Sequence, residues 1–228
     1  MDPLVLLDQA VAEGKVPRKI ATKVRNRMKL VAGAVSRVEK GSGLAYPLYY
    51  IEPVLPASRG AGEYGQLGIL FARVVPTTVM GALTIFVQFS AALVAFGTKG
   101  TIEAVAAHEF THYVDLVRRL SSGDVASDER ETSLFGASHA DPGRTVPPKL
   151  LYSDKALVSL ISRKFKVNLV DNALNRKVEK EWVAKNLPIR YVAPEENVVR
   201  LGMDVVSKTR FDPGVLRWVS QAAAKVKG

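Results

Sequence analysis

The run Ala107-His108-Glu109-Phe110-Thr111-His112 puts three chemically capable side chains on one side of one helix. At about 100° per residue, His108 and His112 lie about 40° apart and one turn along, so two imidazoles reach toward one point. Glu109 lies about 60° from His112, near enough to touch a water held there. This is the H-E-x-x-H spacing: two neutral imidazole nitrogens suited to Zn²⁺, and a carboxylate that takes a proton from water whose acidity the cation has raised. The motif needs a helix, and residues 101–120 read as one. Thr101 is expected to cap it, Glu103 to suit its positive start, and Arg118 and Arg119 its negative end, with Gly123 as a left-handed stop. Ile102, Val105, Phe110, Val114 and Val117 supply the apolar surface that docks it in a core. The chain holds only three histidines, and two of them stand at this spacing.

Upstream, residues 74–98 carry no charge over 25 positions, which is long enough to cross a bilayer. Inside that run, however, Leu83, Ile85, Val87 and Phe89 alternate with Thr84, Phe86, Gln88 and Ser90, a period of two. The alternation predicts a half-buried strand over 82–89, and residues 68–75 read as another. A strand beside the motif helix could offer its edge to an extended peptide, or could be interior. Earlier still, residues 3–13 and 17–40 read as helices broken at Gly14 and Pro17, the second with an apolar stripe of Ile20, Val24, Met28, Val31 and Val35. Residues 46–56 read as extended and 57–65 as a loop.

Downstream, residues 124–136 regain helical character and 138–148 read as a loop. Helices are expected over 154–165, 170–186, 194–208 and 212–227, separated by Pro188, Pro194 and Asp212-Pro213-Gly214.

The formal charge of +10 is uneven: +5 over residues 1–40, +1 over 41–100, −4 over 101–145 and +8 over 146–228. An acidic centre suits a divalent cation, and the basic flanks could touch nucleic acid or an anionic membrane surface. With no cysteine, disulfides, cysteine-ligated zinc and a cysteine nucleophile are all excluded. Met1-Asp2-Pro3-Leu4 bears an acid rather than a basic leader, so no secretory signal is expected and the location expected is cytoplasmic.

A catalytic zinc takes three protein ligands and keeps one position open. The metzincin pattern would place a histidine six residues after His112, but Arg118 stands there. Asp115, Asp124, Asp128, Glu129, Glu131 and His139 remain as donors. The run Glu129-Arg130-Glu131-Thr132-Ser133-Leu134-Phe135-Gly136 resembles the E-x-E-A-N-x-F-A segment of ImmA/IrrE-type peptidases and, more loosely, the E-x-x-A-D of the HtpX family. Both are zinc metallopeptidases of the gluzincin type, in which a glutamate on a second helix completes the site. The resemblance spans about residues 82–136 and implies Glu129 as third ligand, with Glu131 as the alternative. Thr132 and Ser133 depart from the pattern, so the usual acid behind a ligating histidine is missing. Asp115 could supply it, or could pair with Arg118 or Arg119.

The resemblance implies peptide-bond hydrolysis with zinc polarising the scissile carbonyl and Glu109 as general base, then donor to the leaving amine. His139 is the candidate oxyanion stabiliser, with Tyr152 and Tyr191 as alternatives. The expected fold is α+β and predominantly helical: a basic helical N-terminal region (1–45), a zincin-like core with a small sheet packed on the motif helix (46–145), and a basic helical C-terminal subdomain (146–228). The expected cofactor is Zn²⁺ and the expected partner a peptide or protein substrate. Two alternatives accompany this: a membrane-embedded protease with 74–98 as a span, and a non-catalytic basic module that contains zinc.

Overall fold

The computed structural model describes residues 2–59, 67–122, 146–165, 169–191 and 203–226. The fold is α+β, with helices predominating. Helix α1 (Val5–Ala12) stops where Gly14 turns left-handed at φ 69°. Pro17, with its fixed φ and no N–H to satisfy, starts α2 (Arg18–Ser42), which Gly43 ends at φ 70°. Ala21, Val24, Val31, Ala34 and Val38 form the buried face of α2, so the stripe read from the sequence is right in period and rotated slightly in position.

Two small sheets follow. In the first, β1 (Leu48–Glu52) runs parallel to β5 (Ala82–Ser90), and β5 runs antiparallel to β4 (Ala72–Val79), giving the order β1-β5-β4. The β4–β5 turn holds Met80 and Gly81, both at positive φ, as a two-residue hairpin of matching twist requires. Pro76 is tolerated because β4 is an edge strand. In the second sheet β2 (Leu55–Arg59) lies between antiparallel β3 (Leu67–Ile69) and parallel β6 (Ile189–Tyr191). The single strand expected over 68–75 is therefore two, interrupted at Leu70 and Phe71, and the loop expected from 57 begins as strand.

The alternation in β5 is real: Leu83, Ile85, Val87 and Phe89 are buried. Gln88 is also buried, and its side-chain oxygen accepts from Tyr50 and from Arg73. Residues 74–98 are thus the end of β4, all of β5, and the short helix α3 (Ala91–Phe96), capped by Ser90. They do not form a span; among the described residues no helix is long and apolar enough to cross a membrane. Sheet position decides between the two readings of this strand: β5 is interior, paired on both sides, and the edge strands of its sheet among the described residues are β1 and β4.

Helix α4 (Lys99–Ser122) carries the motif and packs against α2, β4, β5, α6 (Lys155–Lys164) and α9 (Pro213–Val226). Ala104, Ala106 and Ala107 are fully buried, and such short side chains let neighbouring elements approach closely. The remaining helices are α5 (Pro148–Leu151), α7 (Asn172–Glu181) and α8 (Met203–Lys208). Trp182, buried after α7, donates its indole N–H to the Pro188 carbonyl and joins a hydrophobic cluster running from Leu7 to Val219.

Candidate metal centre

The start of α4 differs from the sequence reading. Thr98 does the capping: its hydroxyl oxygen accepts from the Thr101 N–H at 3.1 Å, while Thr101 sits inside the helix. Thr101 instead donates its hydroxyl to Asp171 at 2.6 Å. Glu103, also buried, accepts from Arg37 at 2.7 Å, and Arg37 reaches Asp154, the cap of α6, at 2.8 Å. The Arg37 guanidinium holds the Asp154 carboxyl below its usual range. Burial pushes the Asp171 carboxyl upward, but hydrogen bonds from Lys164, Thr101 and Leu174 outweigh it and leave the pKa lowered. These two networks fix the register of α4 against α2, α6 and α7.

Two phenols then grip the helix immediately before the motif. Tyr46 donates to the Ala106 carbonyl at 2.9 Å and Tyr152 to the Ala107 carbonyl at 2.7 Å. Burial raises both pKa values well above the phenol range, so both hydroxyls keep their protons and remain donors. Phe110 stacks on Tyr46 with centroids 5.3 Å apart. Nothing in the motif's spacing pointed to these phenols; only the third dimension brings them to α4. Tyr152 is thereby engaged as an anchor, which corrects its candidacy as an oxyanion stabiliser. Tyr191, the other alternative, lies half-exposed on β6.

His108 and His112 meet as the spacing demands. Their Nε2 atoms are 3.0 Å apart and their rings stand at 84°. Two nitrogens on a tetrahedral zinc with bonds of about 2.0–2.1 Å would be separated by roughly 3.3 Å, so the pair needs to shift only a few tenths of an ångström to share one cation. The same separation also serves as an N–H···N hydrogen bond when one ring is protonated at Nε2. Phe165 lies flat on His108, with centroids 3.8 Å apart and planes 9° from parallel.

Glu109 is 7% exposed, and burial raises its pKa from the ordinary carboxylate value to about 8. No described residue donates a hydrogen bond to it. No fully enclosed side-chain oxygen or nitrogen among the described residues lacks a partner, so this carboxylate must reach the little open surface left to it. Asp115 behaves otherwise. It accepts from Arg118 at 2.8 and 3.1 Å and pairs with Arg119 at 2.8 Å, so its place is in an ion-pair cluster rather than behind a histidine.

Glu129, Glu131 and His139, with Asp124, Asp128, Gly123 and the helix expected over 124–136, lie outside the described residues. Among the described residues no third His, Asp or Glu converges with His108 and His112. The donor set present, two imidazoles with Nε2 atoms 3.0 Å apart, is of the kind that suits zinc. Comparison with known families, with characterised proteins and with solved structures finds no match.

Proposed function

We propose that this chain is a zinc-dependent metallopeptidase of gluzincin type, built on a zincin-like core. The observation that carries the reading is the 3.0 Å approach of the His108 and His112 Nε2 atoms on one buried helix. A sheet lying against that helix, with β1 and β4 as its edge strands among the described residues, supports such a core. His108 and His112 would hold the metal, with Glu129 as third ligand and Glu131 as the alternative. Zinc, when bound, supplies Lewis acidity at a scissile carbonyl and lowers the pKa of water.

The chain's own residues supply the rest. Glu109 stands one residue from His108 and is buried with no hydrogen-bond donor among the described residues, as a carboxylate reserved for proton transfer would be. Its carboxylate takes a proton from the attacking water and returns it to the amine that leaves. In the metal-free protein its pKa near 8 keeps it protonated at neutral pH, and a neighbouring cation opposes that by favouring the charged form. Tyr46 and Tyr152 hold the turn that presents the motif, so that His108 and Glu109 start from fixed backbone positions. His139 is proposed as the group that stabilises the developing oxyanion.

The test is cleavage of an unstructured protein such as casein by the purified full chain. Chelator-sensitive hydrolysis is expected in wild type. Glu109→Ala should keep the metal and lose turnover, while His112→Ala and Glu129→Ala should lose both. Stoichiometric zinc with no hydrolysis of any peptide would leave a structural metal site and defeat the enzymatic reading.

A further inference from the structure

We infer that Phe165 is a positioning residue for the metal centre: its ring clamps the His108 imidazole and favours the state in which that imidazole carries a cation. The inference rests on the two-histidine site proposed above. Two neutral aromatic rings prefer offset or edge-on contacts with centroids about 4.5–7 Å apart, because the electron-rich faces repel when superposed. Here the rings are nearly parallel, at 9°, and only 3.8 Å apart. That geometry becomes attractive when one ring bears positive charge, as an imidazole bound to a metal does. A flat partner on its face also removes the ring's freedom to turn, holding Nε2 toward His112 across the 84° approach.

Phe165 is itself fixed by the network that fixes α4. It closes the last turn of α6, its N–H donating to the Ile161 carbonyl at 2.8 Å. Next to it, Lys164 donates its ammonium to Asp171 at 2.7 Å, and its carbonyl accepts from Val170 at 2.7 Å. Asp171 also takes the Thr101 hydroxyl of α4. The links therefore form a loop from α4 through Asp171, Lys164 and Phe165 back to His108 on α4. A side chain held only to fill space would not need to lie flat on a titratable ring.

The experiment compares wild type, Phe165→Tyr and Phe165→Leu, each the full chain stripped of metal. Tyr keeps the aromatic face; Leu keeps apolar volume and loses the face. Zinc is titrated against a chromogenic chelator, with thermal melting of the metal-free proteins alongside. Phe165→Leu is expected to weaken zinc binding by about tenfold or more, and Phe165→Tyr to stay within about threefold of wild type. The visible absorption of the Co²⁺-loaded protein should shift in Phe165→Leu, since a reoriented imidazole changes the ligand field. In the metal-free protein, the ring-current shift of the His108 ring protons should persist in Phe165→Tyr and vanish in Phe165→Leu. Phe165→Leu binding zinc as tightly as wild type, with an unchanged cobalt spectrum, would overturn the inference and leave the histidine site standing. Equal zinc uptake by wild type and His112→Ala would instead remove the site, and with it this role for Phe165.

Discussion

Helix α4 carries two buried glutamates that the molecule treats in opposite ways. Glu103, near its start, is 6% exposed and is met by Arg37 at 2.7 Å and Lys99 at 3.8 Å. Glu109, in the motif, is 7% exposed and receives no hydrogen bond from any described residue. Burying a carboxylate without a partner is costly, so a chain selected for stability alone would pair it or replace it. Glu103 shows that the fold can bring a guanidinium, that of Arg37 on α2, to an acid of this helix where one serves structure. The acid that meets no donor among the described residues is the one beside the paired histidines, where the proposed chemistry needs a base.

The sharpest way to break the comparison is kinetic. Glu109→Gln, which keeps shape and removes the base, should lower turnover by about 10²–10⁴-fold while zinc content stays the same. Activity assays with metal analysis check this, and a variant within about threefold of wild type would place the base elsewhere.

The next contrast is in stability. The folded pKa of Glu109, about 8, lies above its unfolded value, so the folded state holds the proton between them. Stability from this group is therefore whole below the unfolded pKa and is lost as pH rises through the folded one. Metal-free Glu109→Gln should match wild type near pH 5 and exceed it near pH 9 by about 3–5 kcal/mol at most. Glu103→Gln should instead destabilise the fold, by about 2–4 kcal/mol, because it weakens the partner of Arg37. Denaturant melts at the two pH values read both effects, and parallel behaviour of the two variants would dissolve the distinction.

A smaller effect tests the anchoring of the motif. Tyr152→Phe removes the hydroxyl that donates to the Ala107 carbonyl and should cost about 1 kcal/mol, since that carbonyl keeps its place in the helix. Thermal melting measures it, and no change would mean that the phenol does not hold the turn.

Much of this was legible in the residues, and the reasons for the misses are physical. Helices α2, α4, α6 and α9 follow from periodicity and from breakers such as Pro17 and Gly43, which are local signals. The strand character of β5 followed from alternation in an uncharged run that hydropathy alone would have assigned to a membrane. Its place between β1 and β4 did not follow, because pairing depends on chain segments far apart. Strand β6 is three residues long and carries no pattern of its own. The meeting of His108 and His112 was legible because one turn of helix fixes it. Tyr46 and Phe165 were not linked to it, and Tyr152 was linked only as a candidate oxyanion stabiliser, since each arrives from another element through tertiary packing. Thr101 was misread as a cap because Thr98, three residues earlier, offered the same chemistry. Asp115 was open to two roles from its helical angle, and two neighbouring arginines decided between them.

The most direct measurement is zinc stoichiometry by elemental analysis of the dialysed full chain. One zinc per chain is predicted for wild type and for Glu109→Gln, and none for His108→Ala or His112→Ala. A wild-type chain that takes up no zinc, or a His112→Ala chain that retains it, would contradict the account.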